Sequence, residues 1–256
     1  FEVLVSEFGE VELYKAGPRL EPVLLTDGGA MTWADASVET ALIGGHLPMP
    51  WVEWTFDGLK LRTEVAALGD EAIVRYTVAN TGRGTREGSL ALALRPFQVL
   101  PQWQFLNTIG GRAWVESLEF DAHGATVNGA RRVRTLLPAD RVGAVAFDAG
   151  EVMHALREGD SLTQTSVQDA QGLASGAMVF DFDLAPGESR EIGVMIRLID
   201  ELAAGWDGFE WSGSAGDALA EAEAQWSDLL GRVGLELPGE IGAEIVRTYL
   251  AQIGYI

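Results

Sequence analysis

The feature that most constrains this chain is an alternation of apolar with polar or small residues that recurs along its first 200 positions. Leu90, Leu92 and Leu94, for example, alternate with two alanines and Arg95. Because successive side chains of a strand point to opposite faces of a sheet, this period of two predicts antiparallel strands with one buried and one lighter face. About a dozen such segments, with no helical pattern between them, predict a mainly β protein built as a large antiparallel two-sheet sandwich.

The apolar period changes to three or four residues after about position 212. Between Asp217 and Val233 it predicts an amphipathic α-helix, and Ser214 with Asp217 predicts the capping box that begins this helix. Pro238 suits the first turn of a second helix. The apolar stripe of the second helix consists of Ile241, Ile245, Tyr249, Ile253 and Ile256. The sequence stops in phase with this stripe, so we expect the stripe to need a further packing partner and the chain to be part of a longer protein. The alternative is a complete protein whose last helix folds back on the sandwich.

The net charge limits the partners that this chain can bind. Its 38 acidic and 18 basic side chains give a formal charge of -20. Such a surface repels phosphate backbones and anionic lipids, so we expect neither nucleic acid nor a membrane as a partner, whereas neutral sugars are unaffected. No apolar run reaches the roughly 18 residues that span a bilayer. The chain has no cysteine and no nucleotide, EF-hand or zinc-protease motif, so we expect no cofactor and no metal site; the cellular compartment stays open.

Three stretches of the sequence carry a resemblance to a known family. They are "PMPWVEWTFDGLKLRTEV" at 48–65, "LALRPFQVLPQWQFLNTIGG" at 92–111 and "WSDLLGRVGLELPGEIGAEIVRTYLAQIGYI" at 226–256. The order of a large sandwich, a linker helix with a tryptophan and the first helix of a helical unit resembles the six-hairpin, (α/α)6-toroid glycoside hydrolases and phosphorylases. Those proteins carry an N-terminal supersandwich domain of the galactose-mutarotase-like class.

This resemblance implies a division of the chain into three parts. Residues 1–200 would be the supersandwich, residues 201–237 a linker with an amphipathic helix, and residues 238–256 the first helix of a truncated helical domain. The general acid and base of the glycosidase would lie in that toroid, beyond the chain. The resemblance thus implies a fragment that is inactive alone, with two partners: a carbohydrate and the C-terminal helical toroid domain of the same polypeptide.

The second stretch contains the main candidate for a substrate-binding or domain-interface site. Pro96 and Pro101 interrupt the strand pattern, so the residues after Pro96 are predicted to form an ordered loop at a sheet end. Trp103 offers a flat apolar face to a pyranose ring. Side-chain amides that suit sugar hydroxyls flank it, at Gln102, Gln104 and Asn107. The alternative is that the aromatic residues of this loop close the mouth of the sandwich or pack against the helical domain.

A second candidate surface lies in the first stretch. Alternation places Trp51 and Glu53 on one face of a strand, where they would form a stacking surface with an adjacent carboxylate. The alternative is a tryptophan that covers the sheet face against another element. Arg95, on the lighter face of its own strand, is expected to form a structural ion pair with Glu53 or to bind a buried carbonyl.

Three functions are open at this point. The sequence favours a non-catalytic sandwich that supports a glycosidase active site. A free-standing carbohydrate-binding module and a self-contained sugar enzyme of the mutarotase or lyase type are the alternatives. Mutarotases use a histidine and glutamate pair, and the three histidines of this chain, His46, His123 and His154, lie in no matching local pattern.

Overall fold

The computed structural model describes residues 3–99, 111–159, 162–198, 213–232 and 240–255. The strands are β1 (Val11–Glu12), β2 (Arg19–Thr26), β3 (Gly29–Met31), β4 (Ser37–Leu42), β5 (Pro50–Phe56), β6 (Leu59–Leu68), β7 (Glu71–Asn80), β8 (Arg86–Arg95), β9 (Ser117–Asp121), β10 (Gly124–Val127), β11 (Ala130–Thr135), β12 (Arg141–Val145), β13 (Ser166–Gln168), β14 (Ser175–Leu184) and β15 (Ser189–Arg197). The helices are α1 (Val152–Glu158), α2 (Ala215–Gly231) and α3 (Glu240–Tyr255).

The strands form two antiparallel sheets. One sheet has six strands in the order β1-β2-β8-β14-β12, with β3 paired to β2. The other has nine strands in the order β13-β9-β10-β11-β15-β7-β6-β5-β4. The predicted mainly β, two-sheet architecture followed by C-terminal helices is therefore confirmed.

The main core lies between the inner faces of the two sheets. Leu90, Leu92 and Leu94 of β8 are fully buried there, as the alternation predicts. In the neighbouring strand, Met178 lies opposite Leu92 in register, and Tyr76 of the nine-stranded sheet belongs to the same cluster. Burial of each large apolar side chain contributes about 1.5 to 3 kcal/mol, so this continuous layer accounts for the pairing of the sheets.

Helix α1 covers the outer face of the six-stranded sheet. Its buried residues, among them Val152 and Met153, pack on Ala91 and Ala93, which lie on the face of β8 opposite the leucines. The sequence predicts no helix between the strands, and this expectation is wrong. Seven residues give only two turns, which is too short for a helical period to stand out from the surrounding pattern.

Helix α2 covers the outer face of the nine-stranded sheet. Leu219 and Ala222 pack on Ala66 of β6, and the helix begins at the predicted capping box. In that box the Asp217 amide donates to Ser214 Oγ at 3.1 Å, and the Ser214 amide donates to Asp217 Oδ2 at 2.9 Å. The predicted amphipathic helix is thus confirmed, with its end at Gly231.

Helix α3 contacts α2 and leaves part of its apolar stripe in solvent. Ile245 is 57% and Tyr249 64% exposed, whereas Val246 is buried. The side chains of Ile241 and Ile253, all of Pro238 and Ile256, and the proposed boundaries at 200 and 237 lie outside the described residues. Among the helices that the structure describes, none is long and apolar enough to cross a membrane.

Candidate functional site

Hydrogen bonds join the residues on the two sides of the predicted loop after Pro96, at 96–99 and 111–113, and we call these residues the loop neck. The Gln98 amide donates to the Gly111 carbonyl at 2.9 Å, and the Gly111 amide donates to Gln98 Oε1 at 3.2 Å. The Ala113 amide donates to the Pro96 carbonyl at 3.0 Å. The Gln98 side chain also donates to the Ala16 carbonyl at 3.2 Å. The chain therefore enters and leaves this loop at one fixed point on the sandwich.

A buried glutamate also binds the loop neck through its carboxylate. Glu12 is buried, and its Oε2 accepts a hydrogen bond from the Val99 amide at 2.8 Å. Its other carboxylate oxygen accepts one from the Ala16 amide, also at 2.8 Å. The side chains predicted to contact a sugar, Gln102, Trp103, Gln104 and Asn107, lie outside the described residues.

Beside this neck, five side chains form an alternating series of charges that we call the charged cluster. Arg19 pairs with Glu10 and with Glu21, at 3.0 Å in each case. Arg95 pairs with the same Glu21 at 2.8 Å and with Glu151 at 2.6 Å. Each guanidinium therefore lies between two carboxylates, and Glu21 is shared by both.

Backbone position explains why these residues meet. Arg19 and Glu21 point away from the main core because they are two residues apart on β2 and flank the buried Leu20. Arg95 emerges from the adjacent strand β8, where its backbone is paired with Arg19. Glu151 is the N-cap of α1, and its second carboxylate oxygen accepts a hydrogen bond from the Met153 amide at 3.1 Å.

The charged cluster also contacts the start of the loop. The guanidinium groups of Arg19 and Arg95 lie 5.4 Å and 4.9 Å from the centre of the Phe97 ring. Such cation–π contacts each contribute on the order of 0.5 to 1 kcal/mol. The cluster therefore links four elements: strands β2 and β8, helix α1 and the first residues of the loop.

A cavity of about 560 Å³ opens beside the charged cluster on the outer side of the six-stranded sheet. One wall is aromatic, because the rings of Phe8 and Trp33 stack with centroids 4.0 Å apart and an interplanar angle of 17°. Helix α1 supplies His154 and Arg157 to the rim. We call this space the outer cavity. Its lining residues are Phe8, Glu10, Arg19, Glu21, Thr32, Trp33, Ala34, Arg95, Glu151, Met153, His154 and Arg157.

Two groups of the charged cluster have shifted proton affinities. Burial raises the pKa of the Glu10 carboxyl above its ordinary value, and the nearby Arg19 offsets part of that effect. Burial acts to lower the pKa of Arg95, but Glu21 and Glu151 outweigh it, so the pKa of Arg95 lies above its ordinary value. Among the described residues, no three His, Asp or Glu side chains converge where a metal ion would bind.

The raised pKa of Glu10 predicts a pH dependence of stability. As the pH rises above the ordinary value of 4.5, the unfolded chain releases this proton before the folded chain does. The stability of the wild type should therefore fall relative to that of a Glu10→Gln variant, from pH 4.5 up to the raised pKa. Urea unfolding of both proteins between pH 4 and 8 measures the difference. A difference that stays constant over this range would show that Glu10 titrates alike in both states.

The second predicted surface has a different arrangement from the one expected. Trp51 and Glu53 do share the outer face of the nine-stranded sheet, where Glu53 pairs with Lys60 at 2.5 Å and with Arg62 at 3.6 Å. The Arg62 guanidinium lies 4.1 Å from the centre of the Trp51 ring. The expected pairing of Arg95 with Glu53 is wrong, because the two residues belong to different sheets. A structural ion pair at Arg95 is present, with other partners.

Of the five residues of the charged cluster, Arg95 is the only one that the sequence analysis names as a candidate for an ion pair. Arg19 and Glu21 carry a local signal, since opposite charges two residues apart on a strand share one face. Glu10 and Glu151 carry no such signal. Glu10 comes near Arg19 because β1 pairs with β2, and Glu151 approaches from a distant segment because α1 packs on the outer face of β2 and β8.

The fold defines the class of protein to which this chain is similar. The sequence matches no protein-family model and none of the curated proteins. Among solved structures, a bacterial glucoamylase complexed with acarbose is 13% identical over 88% of this chain and 33% of its own, with a TM-score of 0.52. A family GH92 inverting mannosidase from Bacteroides thetaiotaomicron is 14% identical over 93% of this chain and 29% of its own, with a TM-score of 0.50.

These similarities concern the fold. The predicted resemblance to the sandwich of glycoside hydrolases is confirmed at that level. The chain spans about a third of the length of the solved structures that it matches.

Proposed function

We propose that this chain is the β-sandwich part of a glycoside hydrolase that acts on carbohydrate, and that it supports an active site in a helical domain without supplying the catalytic groups. The observation that carries the proposal is that the acidic side chains of the charged cluster and beside the loop neck are engaged in structural hydrogen bonds. Glu21 and Glu151 both accept hydrogen bonds from Arg95, and Glu12 accepts two from backbone amides. These carboxylates hold structure in place.

Catalysis of glycoside hydrolysis has a different requirement. It uses two carboxyl groups that face each other across a cleft, one of which delivers a proton to the leaving group. Side chains engaged with arginine and with backbone amides are poorly suited to that task. They instead fix the positions of the described residues on either side of the loop at 100–110. The four sugar-contacting candidates of that loop, Gln102, Trp103, Gln104 and Asn107, would then form part of the rim of the active site.

The exposed stripe of α3 supports the presence of a helical partner domain. Ile245 and Tyr249 lie one helical turn apart and are both mostly exposed, which forms an apolar surface suited to another helix. The chains of similar fold are about three times as long as this one, so a following domain of the same polypeptide is the partner that we propose for this surface. Residues 201–237 would serve as the linker, and residues 238–256 would form the first helix of that domain.

Rate measurements on two proteins test the proposal. We expect the natural polypeptide that contains this chain to release monosaccharide from 4-nitrophenyl α-D-glucoside or α-D-mannoside, and the 256-residue chain alone to release none. Turnover by the 256-residue chain would contradict the non-catalytic role. Inactivity of the natural polypeptide on neutral glycosides and oligosaccharides would contradict the hydrolase assignment.

A pair of variants in α3 tests the proposed docking surface. In the natural polypeptide, Ile245→Glu should lower the hydrolysis rate at least about tenfold, because a carboxylate on the contact surface resists burial. Arg247→Glu is the matched control, since Arg247 is exposed on the opposite side of the same helix. Neither variant should change the thermal unfolding midpoint of the 256-residue chain. Equal rates for the two variants would locate the docking surface elsewhere.

A further inference from the structure

We infer that the outer cavity, which is lined by residues of the sandwich and of helix α1, is a binding site for a neutral sugar residue. This site goes beyond the supporting role proposed above, because it would bind carbohydrate without any contribution from a helical domain. Its volume of about 560 Å³ lies within the range of about 300 to 1,000 Å³ that is usual for small-molecule sites.

The walls of the outer cavity combine the two kinds of group that recognise sugars. Trp33 presents an indole that is half-buried and fixed in place, because its ring stacks on Phe8 and the turn that carries it is capped by Thr32. An aromatic face of this kind packs against the C–H groups of a pyranose ring. Charged side chains face it from the sheet, and carboxylates and guanidinium groups bind pairs of hydroxyls well.

The rim of the outer cavity has a hydrogen-bond donor that the ion pairs of the charged cluster do not use. Arg157 lines the cavity, is exposed, and has no ion-pair partner in the part of the chain that the structure describes. Its guanidinium group carries five N–H donors, which can donate to ligand hydroxyls at the rim.

The balance of charge favours a neutral ligand over an anionic one. Each guanidinium of the charged cluster already lies between two carboxylates, so an anionic ligand bound to Arg19 or Arg95 would have to break an existing ion pair. The chain as a whole carries a formal charge of -20, which further opposes anions. Hydroxyl groups add to this network without displacing any of its members.

Nuclear magnetic resonance of the tryptophan side chains tests this inference. The chain has eight tryptophans, and the indole N–H signal of Trp33 is identified by its disappearance in a Trp33→Phe variant. We expect methyl α-D-glucoside or methyl α-D-mannoside to change the chemical shift of this signal, and the change to reach a plateau as the glycoside concentration rises. Trp114, which is exposed and does not line the outer cavity, should give a signal that does not move. We expect a dissociation constant of about 1 mM. A Trp33 signal that does not shift at glycoside concentrations up to about 50 mM would overturn the inference.

Affinities of variants separate this site from other surfaces. Trp33→Ala should weaken glycoside binding about tenfold or more, and Arg157→Ala, on an exposed helical position, should weaken it severalfold without altering the fold. The matched control is Trp114→Ala, for which the affinity should be unchanged. Equal losses at Trp33 and Trp114 would overturn the location of the site.

The charge of the ligand is tested separately. Tighter binding of sodium D-glucuronate than of the neutral glycosides would overturn the neutral ligand class. These measurements use the 256-residue chain, so they fail or succeed independently of the hydrolysis assays.

Discussion

Replacement of Arg95 by alanine is expected to lower the free energy of unfolding by about 3 kcal/mol. The Arg95 side chain is 18% exposed and pairs with Glu21, which is only 3% exposed, and with Glu151. Removal of the guanidinium leaves buried carboxylate charge with fewer partners, and this loss costs more than the pairing energy itself. Urea denaturation at pH 7 gives the change in free energy. Hydrogen exchange should show the loss locally, as faster exchange of the amides in α1.

The same strand provides the control for this prediction. Arg86 lies at the opposite end of β8 and pairs with Asp57 at 3.2 Å, but the Asp57 side chain is 68% exposed. Arg86→Ala should therefore cost less than about 1 kcal/mol, as is usual for surface ion pairs. Similar costs for Arg86→Ala and Arg95→Ala would show that burial does not strengthen the charged cluster.

The expected effect of Arg95→Ala connects stability with the candidate sites. Arg95 contacts Phe97 at the start of the loop, Glu151 at the start of α1 and Glu21 in β2. A single guanidinium thus contacts both the first residues of the loop and one side of the outer cavity. Both proposed sugar contacts, in the loop and in the cavity, should weaken together when this group is removed.

The sequence predicts the sheets well because strand alternation is a local property. Leu90, Leu92 and Leu94 alternate with small residues, and this pattern alone fixes which face of β8 meets the core. The capping box of Ser214 and Asp217 is equally local and is present as predicted. Neither of these features depends on which strands become neighbours.

The charged cluster and the outer cavity are not predictable in this way. Arg95 and Glu151 meet Glu21 because β2 pairs with β8 and α1 packs on the outer face of both, and Glu10 meets Arg19 because β1 pairs with β2. Strand order is not encoded in the alternation. The expected partner Glu53 fails for the same reason, because alternation assigns a face within a sheet without saying which sheet. The predicted surface of Trp51 has the right face, but the guanidinium of Arg62 already stacks there.

The turns at the far end of the sandwich depend on one buried amide. Asn80 is 1% exposed and donates through Nδ2 to the carbonyls of Gly84 and Leu184, both at 2.8 Å. Its Oδ1 accepts a hydrogen bond from the Gly82 amide at 2.9 Å. Because Asn80 belongs to the nine-stranded sheet and Leu184 to the six-stranded sheet, this side chain links the two layers. Removal of the amide in Asn80→Ala should cost about 3 kcal/mol, since several polar backbone groups lose their partners.

Asn80→Asp is the sharper test, because it keeps the shape of the side chain and replaces the donor nitrogen by a carboxyl oxygen. At neutral pH a carboxylate would face two carbonyl oxygens, and we expect a loss of about 4 kcal/mol. This environment disfavours the charged form, so the pKa of the new carboxyl is raised on folding and the loss should shrink as the pH falls toward the ordinary value of about 3.9. Urea unfolding from pH 4 to pH 7 measures that trend.

The matched control is Asn128→Asp, because Asn128 uses its amide in the same way on the surface. Its oxygen accepts from the amides of Glu116 and Ser117, and its nitrogen donates to the Trp114 carbonyl at 2.8 Å. Water can replace that one donor there, so the expected loss is below about 1 kcal/mol. If Asn80→Asp were as mild as Asn128→Asp at pH 7, the two sheets would have to be held together at this end by apolar packing alone.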